Sequence, residues 1–120
     1  MAIGLCRLRD LLMENIKIFA DSDTLSEAAA NLFIEEANKT IHTKGLFSVA
    51  LAGGATPQKT YSLLASRKLA PQVDWTKVHF FWGDERCVPP DETGSNYHMV
   101  KEALLRHIPI VAKNVNRMEG

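Results

Sequence analysis

Residues 46–57 restrict the fold more than any other stretch of the chain. Leu46 to Ala52 (LFSVALA) is compact and uncharged. It reads as a strand buried on both faces, the situation found inside a parallel sheet. Gly53-Gly54-Ala55-Thr56-Pro57 breaks that strand at once. Pro57 then suits the first turn of a helix, where its missing N–H would have had no partner. Tyr61, Leu64 and Ala65 supply the buried face of that helix.

The same alternation runs along the rest of the chain. Ile16 to Ala20 is a short strand candidate, and Asp21 to Asp23 a turn. Thr24 and Glu27 have the spacing of a capping box, followed by Leu25, Ala28, Ala29, Leu32 and Phe33 on one helical face. This helix is expected to run to about Ile41 and to stop before Gly45. Pro71 to Trp75 is a connection, and Val78 to Trp82 (VHFFW) is a strand rich in β-formers. Gly83 to Gly94 is a polar loop. Ser95 is placed to cap a helix whose shared face is Tyr97, Val100, Ala103, Leu104 and Ile108, with Pro109 ending it. Val115 to Met118 begins a further strand. Strands and helices in strict alternation imply an α/β fold with a mostly parallel open sheet and flanking helices. Residues 16–120 are assigned to it. Residues 1–15 are read as an N-terminal extension, either frayed or a short docking helix.

Composition limits the function classes. A chain of 120 residues allows one domain or one lobe of a larger one. Fourteen basic against fourteen acidic side chains leave no net charge, which argues against a nucleic-acid-binding arm. The 46% hydrophobic share is too high for disorder. No run reaches the roughly 18 apolar residues that span a bilayer. Met1 to Met13 is interrupted by Arg7, Arg9 and Asp10 and lacks the pattern of a signal peptide. Cys6 and Cys87 make no disulfide framework, and free thiols fit a reducing compartment, here the cytoplasm. His42, His79, His98 and His107 show no metal-ligand spacing, so no metal is expected. His79 reads as structural and His98 as a cap or surface residue. Trp75 and Trp82 read as packing residues.

Two loops leave the C-terminal ends of expected strands, the edge at which open α/β sheets bind ligands. In Gly53-Gly54-Ala55-Thr56-Pro57, the glycines let backbone approach a ligand. The following helix N-terminus offers unpaired N–H groups, and Thr56 adds a hydroxyl. Together these suit a phosphate. The plainer reading is a glycine turn with a purely geometric task. It is neither a Walker loop nor the dinucleotide fingerprint. In Gly83-Asp84-Glu85-Arg86-Cys87-Val88-Pro89, three ionisable residues follow a buried strand directly. Arg86 suits bidentate binding of a phosphate or carboxylate. Asp84 or Glu85 would then hold that guanidinium or orient a sugar hydroxyl. The alternative is a solvated loop with a local ion pair of little energetic weight.

Taken together, LAGGATP at 51–57, WGDERCVP at 82–89 and Asp91 to Ser95-Asn96-Tyr97 resemble the N-terminal half of 6-phosphogluconolactonases, within the glucosamine/galactosamine-6-phosphate isomerase superfamily. Pro109 after the helix and Asn116-Arg117-Met118 fit the same pattern. The resemblance covers nearly all of the chain from Lys17 onward. It implies a Rossmann-like lactonase-type fold, here incomplete, and hydrolysis of 6-phosphogluconolactone to 6-phosphogluconate in the oxidative pentose phosphate pathway. It implies a small sugar-phosphate substrate and no cofactor. Gly53, Gly54, Ala55, Thr56 and Arg86 would bind the phosphate. Asp84 and Arg86 would face the reacting sugar, and Glu85, Ser95 and Asn96 would shape the loop. Ala55 stands where the family often has serine. The family's general-base histidine belongs to a Gly-His motif further downstream, so none of the four histidines here takes that role. The 120 residues therefore read as about half of an enzyme, inactive alone. Two rivals share the features. In glucosamine-6-phosphate deaminases an aromatic residue usually replaces Arg86, and a non-catalytic sugar-phosphate sensor would carry a helix-turn-helix signal that is missing here.

Overall fold

The computed structural model describes residues 15–119. The extension expected over residues 1–15 lies almost wholly outside them. Helix α1, Ser22–Lys44, starts two residues before Thr24, the cap expected from the sequence. Asp21 caps it instead. Its carboxylate accepts hydrogen bonds from the Thr24 N–H at 2.8 Å and the Thr24 hydroxyl at 2.7 Å. An extended residue with a short acidic side chain serves this position well. At the other end Gly45 takes φ +81 and donates its N–H to the Ile41 carbonyl. This left-handed cap suits glycine.

Three strands follow: β1, Phe47–Leu51; β2, Val78–Trp82; and β3, Val115–Asn116. They form one parallel sheet in the order β1-β2-β3, with Leu51 opposite Trp82 and Phe80 opposite Val115. The expected α/β class and parallel sheet are therefore present. Helix α2, Ala55–Leu64, joins β1 towards β2, and α3, Asn96–Ala103, lies between β2 and β3.

The sequence reading needs four corrections. Ile16 to Ala20 is not a strand: it pairs with no other strand among the described residues, and Ile16 and Ile18 are exposed. Its β-branched residues have no ladder to join. Strand β1 is not buried on both faces. Phe47, Val49 and Leu51 turn inward, whereas Ser48 and Ala50 are exposed beside the exposed Phe81 of β2. The two-residue period of a strand sends alternate side chains to a face that is left open. Helix α3 ends at Ala103, and Leu104 and Ile108 are buried beyond it around a 3-10 turn, Leu105–His107. Strand β3 is two residues long, short of Met118.

The inward face carries the core. Ala30, Ile34 and Ala37 of α1, Tyr61 and Leu64 of α2, and Val100 of α3 gather with Val78, Phe80 and Trp82. Trp75 is buried among them, stacked on Phe80 with ring centroids 6.3 Å apart. Its indole N–H donates to the Ala70 carbonyl at 2.8 Å, so no polar group is lost in burying it. This core fixes where β1 and β2 end, and so where the two loops begin.

Candidate functional site

The first loop is set by one tyrosine. The Tyr61 hydroxyl donates to the Ala52 carbonyl and accepts from the Ala52 N–H, each at 2.9 Å. One phenol thus satisfies both backbone groups of the residue leaving β1. Gly54 then takes φ +107, which an L side chain rarely adopts, and is the residue before α2. No side chain caps α2, and no acidic residue lies in its first turn. Ala55 and Thr56 are exposed there. Unclaimed N–H groups and the helix dipole make this a place that favours an anion.

The second loop leaves β2 alongside the first. The Gly83 N–H donates to the Leu51 carbonyl at 3.0 Å, carrying the β1–β2 ladder one step further. Glu85 then turns its carboxylate onto the start of α3. Oε1 accepts from the N–H groups of Arg86 and Asn96, both at 2.7 Å. Oε2 accepts from the Tyr97 N–H at 2.9 Å and the Ser95 hydroxyl at 3.0 Å. Ser95 is the expected cap, its hydroxyl accepting from the His98 N–H. Burial alone would raise the Glu85 pKa; the hydrogen bonds from Arg86, Tyr97, Asn96 and Ser95 outweigh it and hold the carboxyl below its ordinary value.

Asn96 fastens the two loops together. Its side-chain amide donates to the Asp84 carbonyl at 3.2 Å, with Asp84 Oδ1 at 3.4 Å. The same side chain lies against Gly53, in the space where a Cβ on that glycine would have to sit. Gly53, Asp84, Glu85, Ser95 and Asn96 therefore form one assembly. Arg86 is exposed, and among the described residues its guanidinium makes no ion pair. The ion pair of Arg86 with Asp84 or Glu85 considered from the sequence does not form among the described residues: Glu85 is occupied by three backbone amides and the Ser95 hydroxyl, and Asp84 faces the Asn96 amide.

Two hollows flank the assembly. One, of about 500 Å³, is lined by Cys87, Val88, Pro89, Pro90, Arg117 and Glu119. The other, of about 700 Å³, lies between α1 and α2 and includes Ala55 and Lys59. Neither is lined by both Thr56 and Arg86. What joins the two loops is the contact through Asn96, not a shared cavity. The sequence reading missed the Tyr61 latch, because a tyrosine on a buried helical face gives no sign of where its hydroxyl goes. It also missed Arg117, which sits 6.0 Å above the Tyr97 ring and lines the smaller hollow.

A family model described as "Glucosamine-6-phosphate isomerases/6-phosphogluconolactonase" matches residues 20–120. The chain belongs to this family. It is similar to the 6-phosphogluconolactonase of Nostoc sp., with 34% identity over 105 residues, which is 88% of this chain and 42% of that protein. The 6-phosphogluconolactonase of Haemophilus influenzae is 43% identical over 72 residues, covering 60% of this chain and 31% of that one. Among solved structures, the 6-phosphogluconolactonase of Trypanosoma cruzi superposes with a TM-score of 0.73 at 36% identity, over 85% of this chain and 38% of that one. A monomeric glucosamine-6-phosphate deaminase shares the fold at 18% identity. The chain spans about 31–42% of the length of the curated relatives it matches. Among the described residues no helix is long and apolar enough to cross a membrane.

Proposed function

We propose that the protein to which this segment belongs hydrolyses 6-phosphogluconolactone to 6-phosphogluconate in the oxidative pentose phosphate pathway, in the cytoplasm. One observation carries the reading: an uncapped α2 N-terminus is fastened through Asn96 to a loop presenting Asp84 and an unpaired Arg86. The curated relatives reported above are named for this reaction.

In this reading the N–H groups following Gly54 and the Thr56 hydroxyl take the substrate phosphate. Arg86 is the main cationic contact, and Asp84 orients the sugar. Glu85, Ser95 and Asn96 hold these groups in place. Anchoring the phosphate at a distance from the lactone carbonyl confines the ester to one orientation, so binding energy lowers the reaction barrier. Water adds to the carbonyl, the tetrahedral oxyanion collapses, and the ring C–O bond breaks to give a carboxylate and a hydroxyl. The base that takes the proton from water comes from the Gly-His motif that the family carries beyond these residues.

The test is lactone hydrolysis by the whole protein, measured above the spontaneous rate. Acceleration is expected. No acceleration, together with ammonia release from glucosamine 6-phosphate, would replace the lactonase reading with the deaminase one.

A further inference from the structure

We infer that Glu85 is the positioning residue of this site: by gathering the start of α3, and through Asn96, it sets the glycine turn and the Asp84–Arg86 loop as one unit. A carboxylate has about four acceptor positions, and here four donors meet it, from Arg86, Ser95, Asn96 and Tyr97. Three of them stand 10 to 12 residues away in sequence, so the loop between is closed into a ring. The fourth is the amide of Arg86 itself. Holding that amide fixes the backbone from which the guanidinium projects.

Asn96 carries the effect across. Its backbone N–H is held by Glu85, and its side chain meets Asp84 and lies against Gly53. The atoms nearest a Cβ on Gly53 all belong to the Asn96 side chain, so the influence of Glu85 on that turn runs through Asn96. Only an ionised carboxylate fits. A glutamine in its place brings an N–H₂ group up against donors, leaving them without acceptors. A plain helix cap would also stabilise α3. A positioning residue does more: its loss must be felt at Gly53 and at the substrate.

The experiment compares Glu85→Gln and Asn96→Ala with Asp21→Ala, which removes the cap of α1, a residue outside the Glu85–Asn96 assembly. Two readouts are taken on the whole protein: the backbone amide resonance of Gly53 by ¹H–¹⁵N NMR, and kcat/KM for 6-phosphogluconolactone per folded molecule. Glu85→Gln is expected to shift the Gly53 amide and to lower kcat/KM at least tenfold. Glu85→Asp, which keeps the charge but not the reach, should recover part of the loss. Asn96→Ala keeps the Asn96 amide bond to Glu85 but removes the contact on Gly53, so it sets the direction of shift for comparison; should Glu85→Gln not fold, Glu85→Asp decides the question by shifting Gly53 in that direction by a smaller amount. Asp21→Ala should lower thermal stability and change neither readout. A Gly53 resonance unmoved by Glu85→Gln and by Glu85→Asp would overturn the inference. So would losses in kcat/KM no larger than that of Asp21→Ala. The activity readout rests on the lactonase reading. A wild-type protein without lactone hydrolysis would remove that reading and leave the Gly53 resonance to decide this one.

Discussion

Helices α2 and α3 both begin where strands β1 and β2 deliver their loops, yet their first turns are furnished in opposite ways. At α3, the Ser95 hydroxyl and the Glu85 carboxylate take the leading N–H groups. At α2, a glycine with positive φ leads in, no side chain caps, and no acid lies in the first turn. The acceptor demand of one helix is met by side chains; that of the other is met by none. The contrast teaches that glycine before a helix and serine before a helix are not alternative solutions to one problem. Serine closes an end for structure, whereas the Gly53-Gly54 turn keeps an end open and lets Asn96 pack against it.

Substitutions can break or sharpen this contrast. The largest effect is expected at Arg86, the exposed cation of the loop that Asn96 fastens to the glycine turn. Arg86→Ala should cost about 2–4 kcal/mol in kcat/KM for the lactone if the guanidinium meets substrate charge out of water. An unchanged value would make Arg86 a solvated loop residue. Next is Gly53→Ala, whose methyl group would overlap the Asn96 side chain. Overpacking of this kind costs about 1–3 kcal/mol, so thermal denaturation should show the loss and kcat/KM should fall with it.

Thr56→Asp would give α2 the kind of acid that α3 already has. A carboxylate in the first turn should stabilise the helix by about 0.3–1 kcal/mol, while KM rises because the substrate phosphate now meets a like charge. A stabilised protein with unchanged KM would place the phosphate elsewhere. The smallest effect is that of pH on Glu85. Its folded pKa is depressed from 4.5, so its contribution is complete above that value and is lost as the pH falls through the lower folded one. Acid titration should show the α3 end loosening in that range, and Glu85→Gln should abolish this part of the transition.

Much of this arrangement was legible in the residues, for reasons that differ from place to place. Val78 to Trp82 is bounded correctly because four β-formers and one histidine sit between a lysine and a glycine. Ser95 was recognised as a cap because its side-chain chemistry is local. The Gly53 and Asp84–Arg86 loops were picked out by their place after strands, and the structure brings Gly53 and Asp84 together on Asn96. Interactions over distance were not legible. Glu85 reaches donors 10 to 12 residues on, and nothing in a glutamate's neighbours tells whether it will meet an adjacent arginine or a remote helix. Asp21 outcompeted Thr24 as a cap because an aspartate at an extended position accepts from both the amide and the hydroxyl of that threonine. Strand pairing was equally hidden: Ile16 to Ala20 has strand-like residues and no neighbour to pair with among the described ones.

The Tyr61 latch has a consequence under alkaline conditions. Its proton is what the Ala52 carbonyl receives, and a phenolate would offer that carbonyl only repulsion. Burial raises the Tyr61 pKa from 10.0, with the Ala52 hydrogen bond pulling the other way by less. Its contribution is whole below that ordinary value and fades only as rising pH passes the elevated folded one. The residue from which the glycine turn departs is thus tied by a hydrogen that base removes at higher pH than it does from a free tyrosine.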